Sequence, residues 1–136
     1  MDVAFGSMQY RGPDVTCTKH LGTVGNYDVM MGFHQLRIVE AEEEASQQPL
    51  GKLDDLTLMC NGEIYNYFSE KSLDPAGDCM MILDKYFQKF HHKNPLDARF
   101  ELEQMLNELD GVFAFVLVDK QHQLLLAARD PVGVRP

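Results

Sequence analysis

The sequence predicts an α+β fold, with antiparallel sheets packed face to face and helices outside them. Three observations carry this expectation. β-rich runs come as hairpin-like neighbours, two helical stripes lie together in the middle of the chain, and no repeat or linker divides the 136 residues, about one domain's worth.

The first predicted strand is "DVMMGFHQLRIVE" at 28–40, rich in β-branched and aromatic residues and alternating toward its end. The second, "LDDLTLMC" at 53–60, alternates from Asp55 and is expected to end at an Asn61-Gly62 turn. In "GDCMMILDKYFQKFHHK", Asp78 is placed as a helix N-cap, with Met80, Leu83, Phe87 and Phe90 on one stripe and basic residues at the far end. "DARFELEQMLNEL" at 97–109 repeats that pattern through Phe100, Met105, Leu106 and Leu109, and stops at Asp110-Gly111. "GVFAFVLVD" at 111–119 and "QLLLAAR" at 123–129 flank "KQHQ" and read as a hairpin whose strands are buried on both faces.

Composition excludes several functional classes. A net charge of −9 disfavours a polyanionic partner, so no nucleic acid is expected. Part of that charge sits in "EAEEEA" at 40–45, read as a solvated loop. The longest apolar run, "VFAFVLV" at 112–118, is too short to span a bilayer, and no membrane partner is expected. Cys17, Cys60 and Cys79 form no C-x-x-C pair and leave one thiol over in any disulfide scheme, which points to a reduced, cytoplasmic protein. No grouping has metal-ligand spacing. His91 and His92 diverge by roughly 100° on a helix and read as helix-end residues, and His34 reads as an ordinary strand residue.

The chemistry signals are modest residue by residue. Asn61 and Gly62 set an amide side chain beside an unhindered backbone N–H, a pair that can donate two hydrogen bonds to a developing oxyanion. The plain alternative is a hairpin turn. Glu63 and Asp78 together suit a cationic ligand group such as an α-ammonium; separately, they read as a turn residue and an N-cap.

Seven collinear segments add to this. "RGPD" (11–14), "GFHQLRIVE" (32–40), "QQPL" (47–50), "CNGEIYNY" (60–67), "GDCMMIL" (77–83), "LDGVFAFVLVD" (109–119) and "ARDPVGVRP" (128–136) cover nearly the whole chain. The set resembles the glutaminase domain of glutamine-hydrolysing asparagine synthetases, class II glutamine amidotransferases with the N-terminal-nucleophile hydrolase fold, an αββα sandwich of antiparallel sheets. "RDPVGVRP" is similar to a segment of several class II amidotransferases, including amidophosphoribosyltransferase; "RGPD" with "NGEIYN" is more particular to the synthetases. The resemblance implies L-glutamine as ligand and Asn61 and Gly62 as an oxyanion hole. It further implies that Glu63 and Asp78 hold the substrate's α-amino end, while Gln35, Leu36, Arg37, Ile38 and Val39 line the pocket. Tyr65 and Tyr67 are expected to pack.

Four departures accompany the resemblance. The family's nucleophile is a cysteine at the mature N-terminus with its own α-amine as base, whereas this chain opens "MDVAFGSMQYRGPD", too short before "RGPD" for the family's first strand. Cys60 should point away from the site, since neighbouring strand residues face opposite ways. Cys79, at a helix start where the dipole can favour a thiolate, has no recognisable base, and Cys17 lies near His20 in an expected loop. The second departure is Gln35, which stands where the family has an arginine gripping the α-carboxylate; the lost contact corresponds to about 2–3 kcal/mol. Arg37, two residues on along the same face and about 6.6 Å away, is a candidate replacement; the alternative is a solvated strand arginine. Third, Glu63 and Asp78 stand closer in sequence than is usual in the family. Fourth, the sequence ends at "GVRP", so the expected fold is incomplete at both ends and the ATP- and Mg-using synthetase domain is absent, leaving no cofactor in this chain. Open sheet edges would then invite self-association.

Two functional readings follow. One is part of a glutaminase domain, inactive alone because its nucleophile is missing. The other is a non-catalytic domain that binds glutamine or a partner protein.

Overall fold

A computed structural model describes residues 3–36, 47–66 and 77–135. A short helix, α1 (Val3–Gly6), and a 3-10 turn (Gln9–Arg11) precede strands β1 (Val15–Val24) and β2 (Tyr27–Gln35). β3 (Leu50–Lys52), β4 (Leu56–Ile64), helices α2 (Met80–Phe90) and α3 (Arg99–Asn107), and strands β5 (Gly111–Asp119) and β6 (Leu124–Arg129) follow. β1 and β2 form one antiparallel sheet; β3-β4-β5-β6 form another, antiparallel throughout.

Alternation along the strands sorts the layers. On β4, Leu58, Cys60 and Ile64 join Phe113, Phe115 and Leu117 of β5 in a core with Met81, Ile82, Leu83, Tyr86 and Phe90 of α2 and Leu102 and Met105 of α3. Each large side chain buried there contributes roughly 1.5–3 kcal/mol relative to exposure. The opposite face of the sheet meets the β1–β2 hairpin through Leu21, Val24, Met31 and Val118, with Val29, Met59 and Val116 around them. Phe5 of α1 covers the hairpin's outer side: its ring stacks on His34 at 4.1 Å, and a side chain on Gly32 would collide with it. Helix, sheet, sheet, helix is the layer order, as the sequence led one to expect.

Several expectations need correction. β1 occupies a stretch read as loop, so Cys17 and His20 are strand residues, and His20 instead pairs with Asp28 across the hairpin at 2.7 Å. The strand expected to stop at a turn runs through Asn61-Gly62 to Ile64, because β5 pairs with it residue for residue, Asn61 opposite Ala114 and Gly62 opposite Phe113. β6 is half-buried on one face and exposed on the other, being a sheet edge. Phe100 is exposed and Leu102 takes its place in the core, since α3 presents the Leu102–Met105 face to α2. Tyr65 is about half exposed rather than packed; Tyr67 and the acidic loop lie outside the described residues. His34 is more than an ordinary strand residue. The Phe5 carbonyl can only accept, so Nε2 donates to it (2.8 Å) and Nδ1 faces the Thr16 hydroxyl (2.9 Å). His91 and His92 stand at the end of α2 as expected, but their rings do not diverge and meet edge-on at 4.5 Å.

At the far end of the β5–β6 hairpin, buried Asp119 accepts hydrogen bonds from the Tyr86 hydroxyl (2.8 Å) and the His122 backbone N–H (3.0 Å). Burial, followed by that carboxylate, pushes the Tyr86 phenol well above its ordinary range. This ties α2 to the hairpin and leaves the opposite end of the sheets open.

Candidate functional site

Between the two sheets, at the end where β2 finishes and β6 reaches Arg129, lies an open cleft of about 540 Å³. Phe33, Met59, Asn61, Ala114, Val116, Ala127 and Arg129 are among its lining residues. That volume falls in the range of small-molecule sites. A hollow beside Tyr86, Asp119 and His122 holds about 10 Å³, too little for an amino acid.

Asn61 faces this cleft because it is an odd-numbered residue of β4, whose even-numbered neighbours Cys60 and Ile64 point into the helical core. The strand is held on both sides of Asn61-Gly62. Gln48 clamps Cys60 with its side-chain amide, accepting from the Cys60 N–H (2.6 Å) and donating to its carbonyl (2.5 Å). Asp78 accepts from the Ile64 N–H and from the Cys79 N–H. β3 pairs with β4 only as far as Leu58, so these side chains serve as strand partners beyond it. Gly62, midway between Cys60 and Ile64, directs its N–H toward the same edge by the alternation of an antiparallel ladder. Its glycine is obligatory. It has φ 152°, and an added Cβ would lie 2.1 Å from the Val112 carbonyl oxygen.

Other predicted site residues fall around this point. Glu63 shares Asn61's face of β4, whereas Asp78 grips the strand edge at Ile64, and neither is among the described residues that line the cleft. Asp78 is not the N-cap of α2: Cys79 holds that position, and the Asp78 carboxylate is turned instead to β4. Gln35 shares the cleft-facing side of β2 with Phe33 by alternation, and Leu36 follows it, exposed. Arg37, Ile38 and Val39 lie outside the described residues. Sequence reasoning missed Arg129, although it stands within the quoted "ARDPVGVRP" segment; alternation along "LLLAAR" was the signal that could have placed it on the cleft face. Among the described residues, no group of three or more His, Cys, Asp or Glu is disposed to hold a metal ion.

The glutamine amidotransferase domain family matches residues 34–136 of this sequence. The chain belongs to that family. Similar proteins include a probable glutamine-hydrolysing asparagine synthetase of Acanthamoeba polyphaga mimivirus, 36% identical over 131 residues, covering 93% of this chain and 22% of the relative. Asparagine synthetase [glutamine-hydrolyzing] 3 of Bacillus subtilis is 30% identical, covering 100% of this chain and 21% of the relative. The Gallus gallus asparagine synthetase is 33% identical, at 93% and 21% coverage. The chain thus spans roughly a fifth of these relatives' length.

In this amidotransferase domain Cys60 and Cys79 stand apart from the cleft. Cys60 and Cys79, both buried, bring their sulfurs to 2.7 Å on the helical side of β4. The hydrogen bond to Cys60, burial and the nearby Asp78 carboxylate push the Cys79 thiol far above its ordinary range, so the helix start does not favour a thiolate there. In a native thiol titration with a chromogenic disulfide reagent, only half-buried Cys17 is expected to react quickly. Two further equivalents should appear on adding denaturant; three fast thiols without denaturant would contradict the burial. No helix among the described residues is long and apolar enough to cross a membrane.

Proposed function

We propose that this chain is the glutamine-holding part of a glutaminase domain of the asparagine-synthetase kind. L-Glutamine occupies the inter-sheet cleft, its side-chain carbonyl toward the Asn61 amide and the Gly62 N–H, its ammonium toward Glu63 on the same strand face. The observation that carries this reading is the aim of Asn61 into the cleft, with Glu63 on the same face of its strand. In the complete reaction glutamine would yield glutamate and ammonia, and the ammonia would serve ATP-dependent formation of asparagine from aspartate. ATP and Mg belong to that second reaction and have no role for the residues described here. The free thiols suit a reducing, cytoplasmic setting.

The chemistry at the cleft is polarisation without attack. Two donors stabilise charge developing on the amide oxygen, and a nucleophile must approach the carbonyl carbon from the cleft side. Cys60 and Cys79 lie behind the sheet and no cysteine is among the described residues lining the cleft, so hydrolysis calls for a thiol beyond that lining. The same observation favours a second reading, a domain that binds glutamine without hydrolysing it.

Isothermal titration calorimetry with L-glutamine tests the site. Saturable binding is expected, weakened roughly three- to tenfold in Asn61→Ala. No binding, or equal binding by the variant, would refute the assignment. An ammonia-release assay separates the two readings. The 136-residue chain should release none alone, and release on adding a small thiol would favour the hydrolytic reading.

A further inference from the structure

We infer that Arg129 binds the α-carboxylate of the cleft's ligand, an inference that rests on the glutamine reading above. Arg129 is the one charged side chain among the described residues that line the cleft. Gln35, at the end of β2, supplies no charge. A ligand carboxylate entering this space therefore meets a single cation among the described residues.

Register places that cation usefully. Asn61 pairs with Ala114, and Ala114 pairs with Arg129, so the three form one row across β4, β5 and β6. All three line the same cleft. Two strand spacings set the backbones of Asn61 and Arg129 roughly 10 Å apart. The side-chain amide carbon of an extended glutamine lies about 5 Å from its carboxylate carbon, which leaves space for a hydrogen bond at either end. The methyl group of Ala114 keeps the floor between them low.

Arg129 is exposed, and its guanidinium has a neighbour in the loop that follows β6. It lies against Gly133, where an added Cβ would come within 3.1 Å of its central carbon. Asp130 fixes that loop by accepting from the N–H groups of Val132 (3.0 Å) and Gly133 (2.6 Å). Arg129 forms no ion pair with a described residue, so its charge is available to a ligand. A guanidinium fork matches a carboxylate with two parallel hydrogen bonds.

The test is calorimetry with two probes, L-glutamine and its α-carboxamide, on the whole chain. Wild type should prefer the acid by roughly ten- to a hundredfold. Arg129→Gln should bind both probes alike, and Arg129→Lys, which keeps the charge but not the fork, should cut the preference several-fold. Lys120→Gln, outside the cleft lining, should leave it intact. The inference is overturned if wild type shows no preference, if an Arg129 variant retains it in full, or if Lys120→Gln removes it. Should Arg129→Gln fail to fold, the lysine variant decides. Failure of wild type to bind either probe removes the glutamine reading and this inference together; binding of both with equal affinity removes this inference alone.

Discussion

Gly62→Ala is expected to lose more than about 4 kcal/mol of stability, at the far end of single-substitution effects. The added Cβ would sit 2.1 Å from the Val112 carbonyl oxygen and 2.6 Å from the Phe113 Cα. These are backbone atoms of the paired strand, so no side-chain rotation relieves the overlap. Neither can β4 shift outward, because Gln48 and Asp78 hold Cys60 and Ile64 on either side. Gly111 stands in the reciprocal position: a Cβ there would lie 2.2 Å from the Glu63 carbonyl oxygen. The two strands therefore approach closely just where Asn61 is presented to the cleft. Urea denaturation followed by circular dichroism checks this. The Gly62→Ala midpoint should collapse, while Gly6→Ala, with nothing within 4 Å of its new methyl, should change stability by only about 0.5 kcal/mol. Matching midpoints for Gly62→Ala and wild type would show that the β4–β5 spacing is not as described.

Asp130→Asn should lower the melting temperature by roughly 10 °C and disturb the cleft as well. Buried Asp130 accepts from the N–H groups of Phe113 (3.1 Å), Val132, Gly133 and Val134 (3.2 Å to Oδ2). Burial pushes its carboxyl up, but the four N–H groups outweigh burial and hold it below its ordinary value of 3.8. An acid lowered in this way adds stability above the unfolded-state value, and that stability is lost as pH falls through the folded value. Wild type should accordingly lose stability below about pH 4, and the asparagine variant should lose less over the same interval because it has no proton to take up. Asparagine also turns N–H donors toward backbone N–H donors, so the loop bearing Gly133 should loosen and Arg129 with it. Thermal melts at pH 7 and pH 3 read the first effect. Calorimetry with glutamine and its α-carboxamide reads the second. Identical melting of the two proteins at both pH values would refute the anchoring role.

Much of this arrangement was legible in the chain because the relevant information is local. The apolar run "VFAFVLV" and the "QLLLAAR" that follows a short polar link gave the β5–β6 hairpin, and the stripe through Leu83 and Phe90 gave the buried side of α2. β1 was not legible. "VTCTKHLGTV" offers few apolar residues, and it becomes a strand because β2 supplies its hydrogen bonds and the opposing sheet its inner contacts. Asp78 shows the same limit. Its position beside a helix suggests a cap, yet the nearby donor that claims its carboxylate is on β4, fourteen residues earlier.

From the residues alone came the α+β class and the family resemblance, since each is written in short segments with their own periodicity or motif. Tertiary structure decided which of these residues share a cleft. It converted an apparent Asn-Gly turn into mid-strand, turned Cys60 and Cys79 to the far side of β4, and set Arg129 in one row with Asn61. The physical reason is that strand register and sheet stacking depend on partners distant in sequence, and a side chain's face is fixed only when those partners are.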